Sequence, residues 1–301
     1  VAVLAFPDAG CDEVALAGGK GASLARMAAL GLPVPPGFVV TADVLRAALP
    51  DAAAELRALC AQGPSAAEQA QALVREVEIP DDLRAALATA YAKLGDDVAV
   101  AVRSSACAED GEAASFAGQQ ETYLHVRGLD DVIARVRDCW ASFYSERALF
   151  YRSQKGSLDD LEMAVVVQQM IDAEVAGVMF TIDPVGGRKD RMVVEAVLGL
   201  GEAVVSGEVT PDHYVLKRDG TVRKRQVHVQ PFRIVKGPDG GTVNEPLDEE
   251  RGGAPKLDDE TLRALAQIGN GLHERTGIPQ DIEWAMAGGE LFVLQARPVT
   301  T

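Results

Sequence analysis

The sequence predicts an α+β chain of two lobes, in which helices pack on mixed or antiparallel sheets. Three observations predict this. The first third is rich in Ala, Leu and Glu and reads as helices, the middle is mixed, and the end is rich in strands. At 301 residues the chain is long enough for one large domain or two lobes. Hydrophobic residues make up 48% of it, enough for a substantial core, which excludes a disordered chain.

Taken in order, Gly18-Gly19-Lys20-Gly21 opens into an Ala-rich helix over residues 22–30, with Gly31 as the residue that stops it. Residues 33–37 form a stiff Pro-rich turn, 38–40 a strand, and Thr41 an N-cap for the next helix. Residues 51–94, broken near Pro64 and Pro80, read as two or three packing helices. Residues 98–102 are a short apolar strand ending at Arg103-Ser104-Ser105, and a polar loop runs on to Gly118 before a strand over 119–126. From Leu129 to about Tyr151, Val132, Val136, Cys139, Trp140 and Phe143 share one stripe, the spacing of an amphipathic helix. Residues 162–171 and 175–182 are apolar strands around a short polar turn, which predicts a hairpin. Residues 192–197 and 213–217 continue the β-rich region, and Asp219-Gly220 is a turn into 221–229. Residues 236–256, rich in Gly, Pro and acids, read as an exposed loop. A helix over 257–275 then leads through Gly277-Ile278-Pro279 into two closing strands. The lobes are expected to divide into 1–180 and 181–301.

The net charge of −16 opposes binding to nucleic acid or an anionic membrane. No run approaches the roughly 18 apolar residues of a membrane span. The first twenty residues carry acids and no basic n-region, so no signal peptide is expected. Cys11, Cys60, Cys107 and Cys139 are far apart and form no C-x-x-C pair. That predicts a reduced, cytoplasmic setting without disulfides or a zinc site. An anionic ligand would need a locally basic, metal-assisted pocket.

The closing strands offer one. Asp281 and Glu283 stand at i and i+2, so they project from one face of a strand. Gln295 and Arg297 repeat the spacing one hairpin later. An acid pair on one face needs partners to be buried. Facing Gln295 and Arg297, it makes a site for Mg²⁺ and phosphate. Carboxylates and an amide oxygen suit a hard cation that keeps some of its waters, and the planar Arg fork suits phosphate. Lys20 lies at a helix start, where backbone N–H groups also favour anions; the plainer reading is a surface lysine in a turn. It is not a Walker A lysine, because Val14 and Gly21 stand where that loop needs Gly and Ser or Thr. Arg103 at a strand end is either a salt-bridge residue or a phosphate contact. In the segment 115–122, Gly118 allows close backbone approach and Thr122 offers a hydroxyl, as in a loop that closes over phosphates. Gly199-Leu200-Gly201 lacks the third glycine of a dinucleotide fingerprint, since residue 204 is Val. His125, His213, His228 and His273 read as structural or surface residues.

Several stretches then combine: GGKGASLARMAALGLPVPPGF, AVRSSACAEDGEAASFAGQQETYLHV, CWASFYSERALFYR, VVVQQM, GVMFTIDP, GLGEAVVSGEVTPDHYVL, PQDIEWA and LQARPVT. In collinear order over nearly the whole chain, they resemble the N-terminal ATP-binding domain shared by phosphoenolpyruvate synthases, pyruvate phosphate dikinases and rifampin phosphotransferases. The wording at 139–152 and 199–216 is slightly nearer the rifampin enzymes. The resemblance implies an ATP-grasp-like fold with ATP between two lobes, and ATP and Mg²⁺ as cofactors. It implies that Lys20, Arg103 and Arg297 bind phosphate and act in catalysis. Gly118 and Thr122 would lie in a phosphate-covering loop, and Gln168 on a linker strand beside adenine. Glu283 and Gln295 would bind nucleotide and Mg²⁺, with Asp281 as a second metal-site acid. Cys107 departs from the Thr of many relatives, away from these positions. Relatives continue past LQARPVT into an acceptor domain and a swivelling domain whose histidine is phosphorylated, with AMP and phosphate as the other products. No segment here resembles that histidine motif. The resemblance therefore implies an ATP-dependent phosphotransferase module acting on a histidine of a separate or missing swivelling domain. The alternatives are a self-contained small-molecule kinase and a non-catalytic ATP-binding protein.

Overall fold

A computed structural model describes residues 2–49, 53–107, 121–155, 163–184, 186–238 and 241–299. The chain divides into two compact units, Val1–Ala29 with Pro36–Met170, and Leu30–Pro35 with Ile171–Thr301. The fold is α+β, as expected. Among the described residues no helix is long and apolar enough to cross a membrane.

In the first unit the order is β1 (Val3–Ala5), α1 (Val14–Ala29), β2 (Gly37–Val40), α2 (Ala42–Ala48), α3 (Ala53–Ala61), α4 (Ala67–Arg75), α5 (Asp81–Ala92), β3 (Val100–Ala106), β4 (Thr122–Val126), α6 (Leu129–Ser142), α7 (Glu146–Lys155) and β5 (Met163–Gln169). The strands form an antiparallel sheet in the order β1-β2-β5-β3-β4. β5 is its centre, which is why it reads as a nearly continuous apolar run. One face carries Val100, Val102, Val165 and Val167 into a core with Val132, Val136, Cys139 and Trp140 of α6. The other face receives α1, close enough that a Cβ on Gly21 would meet Val39 and Val166.

The second unit comprises β6 (Val175–Phe180), β7 (Arg191–Leu198), α8 (Glu202–Val205), β8 (Asp212–Lys217), β9 (Val222–Gln226), β10 (Phe232–Lys236), β11 (Thr242–Pro246), α9 (Glu249–Gly253), α10 (Asp259–Thr276), β12 (Gln280–Ala287) and β13 (Glu290–Pro298). Its main sheet is antiparallel, in the order β13-β12-β6-β7-β8-β9. One face buries Met179, Met192, Ile282 and Trp284, and α10 lies against Met179 and Met192 at Gly269. Asp258 caps α10 by accepting from Thr261 N–H at 2.8 Å. A buried ion pair ties this unit together. Lys256 Nζ lies 3.1 Å from Asp212 Oδ1, with side chains 1% and 0% exposed. The ammonium also donates to the carbonyls of His228 and Gly252. Asp212 accepts from the Tyr214 hydroxyl and from the N–H groups of His228 and Lys256. Burial and the Asp212 hydrogen bond push the Tyr214 hydroxyl well above its ordinary pKa.

Several expectations change. β5 and β6 are not a hairpin: β5 pairs with β2 and β3, β6 with β7 and β12. The two compact units divide after Met170. Residues 30–35 join the second unit because Val293 N–H donates to Pro33 O and Arg275 to Leu30 O. The stripe from Leu129 is two helices, broken after Ser142. The 236–256 stretch holds β11 and α9, with β11 paired to β10. β3 runs through Arg103 to Ala106. α1 begins at Val14, ahead of the expected start, and is broken at Gly18.

Candidate functional site

The first unit gathers Lys20, Arg103, Thr122 and Gln168 on one sheet face. Cross-strand partners share a face, as do residues two apart. Arg103 pairs with Thr122 on β4 and Val166 on β5, and Gln168 pairs with Ala101 and Gly37. Ala101 and Arg103 are two apart, as are Val166 and Gln168, so all of these side chains project toward the α1 side. α1 brings Lys20 onto that side, where its Nζ donates to Ser104 O at 3.4 Å. Lys20 and Arg103 are half-buried and Thr122 is exposed. Gln168 is only 2% exposed, and its Nε2 has no hydrogen-bond partner among the described residues. An orphaned buried amide costs about 1–3 kcal/mol, and a ligand acceptor such as a base nitrogen would satisfy it. Gly118 lies outside the described residues.

The second unit gathers the acids. The β12–β13 register sets Asp281 opposite Arg297 and Glu283 opposite Gln295, so all four side chains share a face. Arg297 Nε and Nη2 each lie 2.9 Å from Asp281 Oδ2. The register slips between Glu283 and Trp284, beside the Glu283–Gln295 pair. A bulge at that point re-aims side chains locally, a common device beside a site. Two further polar residues lie in line with Glu283 on this face. Glu283 pairs with Val178, Val178 with Glu195, and Glu195 with His213, so one row crosses the sheet. His213 Nδ1 lies 3.5 Å from Glu195 Oε1. Alternation along β7 and β8 is the signal, but only once the strand order is known.

The donor set fits Mg²⁺. Among the described residues no group of three or more His, Cys, Asp or Glu forms a metal cage. Two carboxylates and an amide oxygen on one face instead suit a cation that keeps waters and takes phosphate oxygens. The first unit thus presents two cations and one buried amide on one sheet face, and the second presents, on a face of its own, two acids, an amide and Arg297.

The pyruvate phosphate dikinase AMP/ATP-binding domain matches residues 14–301. The chain belongs to this family. Among similar members, a probable phosphoenolpyruvate synthase of Methanothermobacter thermautotrophicus is 42% identical over 98% of this chain and 46% of that protein. A rifampicin phosphotransferase of Streptomyces sviceus is 41% identical over 96% of this chain and 35% of that protein. The prodigiosin synthesizing transferase PigC of Serratia marcescens is 42% identical over 94% of this chain and 31% of that protein. The chain thus spans less than half the length of these relatives, and the near-equal identities favour neither the synthases nor the rifampicin enzymes. Among solved structures, D-alanine-D-alanine ligase from Helicobacter pylori covers 74% of this chain and 47% of its own at 12% identity. Its TM-score of 0.33 is too low to define the fold.

Proposed function

We propose that the chain is the nucleotide-binding module of an ATP-dependent phosphotransferase of dikinase type. It binds ATP with Mg²⁺ and phosphorylates a histidine on a swivelling domain. The balance is one ATP, one histidine and one water giving phosphohistidine, AMP and phosphate. The observation that carries this reading is the closing hairpin, which sets Glu283 against Gln295 and Asp281 against Arg297 in a chain of the AMP/ATP-binding family.

In this reading Lys20 and Arg103 neutralise phosphate charge as it shifts in the transition state. Arg297, now forked on Asp281, offers its remaining donors to a phosphate. Gln168 meets the base with its buried amide, and Thr122 donates its hydroxyl to a phosphate oxygen. Glu283, Gln295 and Asp281 would hold Mg²⁺. The ion would supply positive charge that offsets the phosphate charge repelling the nucleophile. Positioning and electrostatics thus do the work.

The test is product analysis with the chain, Mg²⁺, ATP and a swivelling domain of a relative. AMP with a phosphorylated histidine supports the reading. ADP would instead indicate a self-contained kinase, and no turnover with intact ATP binding a non-catalytic binder.

A further inference from the structure

Helix α1 is broken at Gly18, whose φ of 65° and ψ of 173° lie in a region open essentially to glycine alone. The cause lies on β3. In an unbroken helix Gly21 N–H would donate to Ala17 O, four residues earlier. Here the Ser105 hydroxyl stands between them. It donates to Ala17 O at 2.8 Å and accepts from Gly21 N–H at 3.2 Å. A side chain inserted into the helical ladder bends the helix. Ser105 is fully buried, and a Cβ on residue 18 would sit 2.3 Å from its Oγ. Cys107 adds a weaker stitch, with Sγ 3.7 Å from Ala15 O.

The insertion resembles an N-cap supplied from another element. With the helix restarting after Gly18, Gly21 is its third residue, whose N–H a capping side chain normally satisfies. Gly18 has no side chain, so Ser105 takes the role from the neighbouring strand. Lys20 lies between Gly18 and Gly21, and its Nζ reaches the carbonyl of Ser104, next to Ser105. Arg103 is two residues before Ser105 on the same sheet face. The serine therefore fixes the helix turn that carries one cation to the strand that carries the other.

We propose that Ser105 is a positioning residue for phosphate binding, holding α1 open at Gly18 and so setting Lys20 relative to Arg103. This rests on the nucleotide reading of those two residues. Without the hydroxyl, Gly21 N–H returns to Ala17 O, the helix closes through Gly18, and the turn bearing Lys20 rotates away.

The test compares wild type, Ser105→Ala, Lys20→Ala and the double variant for Mg-ATP affinity, with the Gly18 backbone followed by NMR or crystallography. Ser105→Ala should weaken affinity about tenfold, the scale of one lost contact to a charged group. In the Lys20→Ala background it should add almost nothing, because the two residues act as a unit. A purely structural serine would lower the melting temperature and give additive affinity losses. Additive losses, or wild-type affinity in Ser105→Ala, overturn the proposal. A helix that stays broken in Ser105→Ala overturns the clamp whatever ATP does. Wild type that binds no Mg-ATP overturns the reading of Lys20, while helix closure in Ser105→Ala still upholds the clamp. If Ser105→Ala does not fold, Ser105→Cys keeps a similar volume with weaker hydrogen bonding and serves the same comparison.

Discussion

Arg297 can be separated from its structural duty by one pair of substitutions. Its guanidinium is forked on Asp281 Oδ2, with side chains 64% and 12% exposed. Ion pairs with one partner in solvent contribute about 0.2–1 kcal/mol. The better-buried Asp281 raises the cost of Arg297→Ala toward about 2 kcal/mol, because a charged acceptor loses its donor. Arg297→Lys keeps a cation beside Asp281 and should cost less than about 1 kcal/mol. Phosphate is different: a bidentate fork gives geometry that an ammonium cannot reproduce. Arg297→Lys should therefore unfold in urea close to wild type yet bind Mg-ATP at least about tenfold more weakly. Urea melts and ATP titration on the same samples decide it. If Arg297→Lys binds ATP normally, Arg297 is only the partner of Asp281 and its phosphate role fails.

Glu283→Gln should shift AMP formation to roughly tenfold higher Mg²⁺, because the amide lacks the charge a hard cation needs. An unchanged Mg²⁺ dependence would move the metal site to Asp281. Lys256→Met leaves Asp212 charged and buried, and should cost about 3–5 kcal/mol in urea unfolding; an unchanged midpoint would show that the pair contributes nothing. Asp258 has its carboxyl held below the ordinary value by the N–H and side chain of Thr261. With the folded pKa below the unfolded one, its contribution is present above about pH 4 and is lost as pH falls through the folded pKa. Asp258→Ala should then cost about 1 kcal/mol at pH 7, with the gap to wild type narrowing in melts near pH 3. A gap that stays constant with pH would refute the capping account.

The closing hairpin was legible because its polar residues repeat every second position, and alternation alone fixes a shared face. Alternation does not fix the register, and the pairing of Asp281 with Arg297 came only from the structure. β5 and β6 were not separable in the same way. Both are apolar strands around a short polar turn, and their sheets are chosen by distant partners such as Gly37 and Leu198. β11 was missed because nearly all its residues are exposed, leaving no buried face to mark a strand. β3 was ended too early at its first charged residue, yet α1 covers that face and Lys20 lies over it. Gln168 could be named as a site residue only through the family resemblance. Ser105 carries no local signal at all, since its role exists only where β3 meets the break in α1.

The most direct measurement is a calorimetric titration of the folded chain with Mg-ATP. The expected result is one saturable site whose affinity collapses in Arg103→Ala while the variant stays folded. A folded wild-type chain showing no binding at millimolar Mg-ATP would contradict the account.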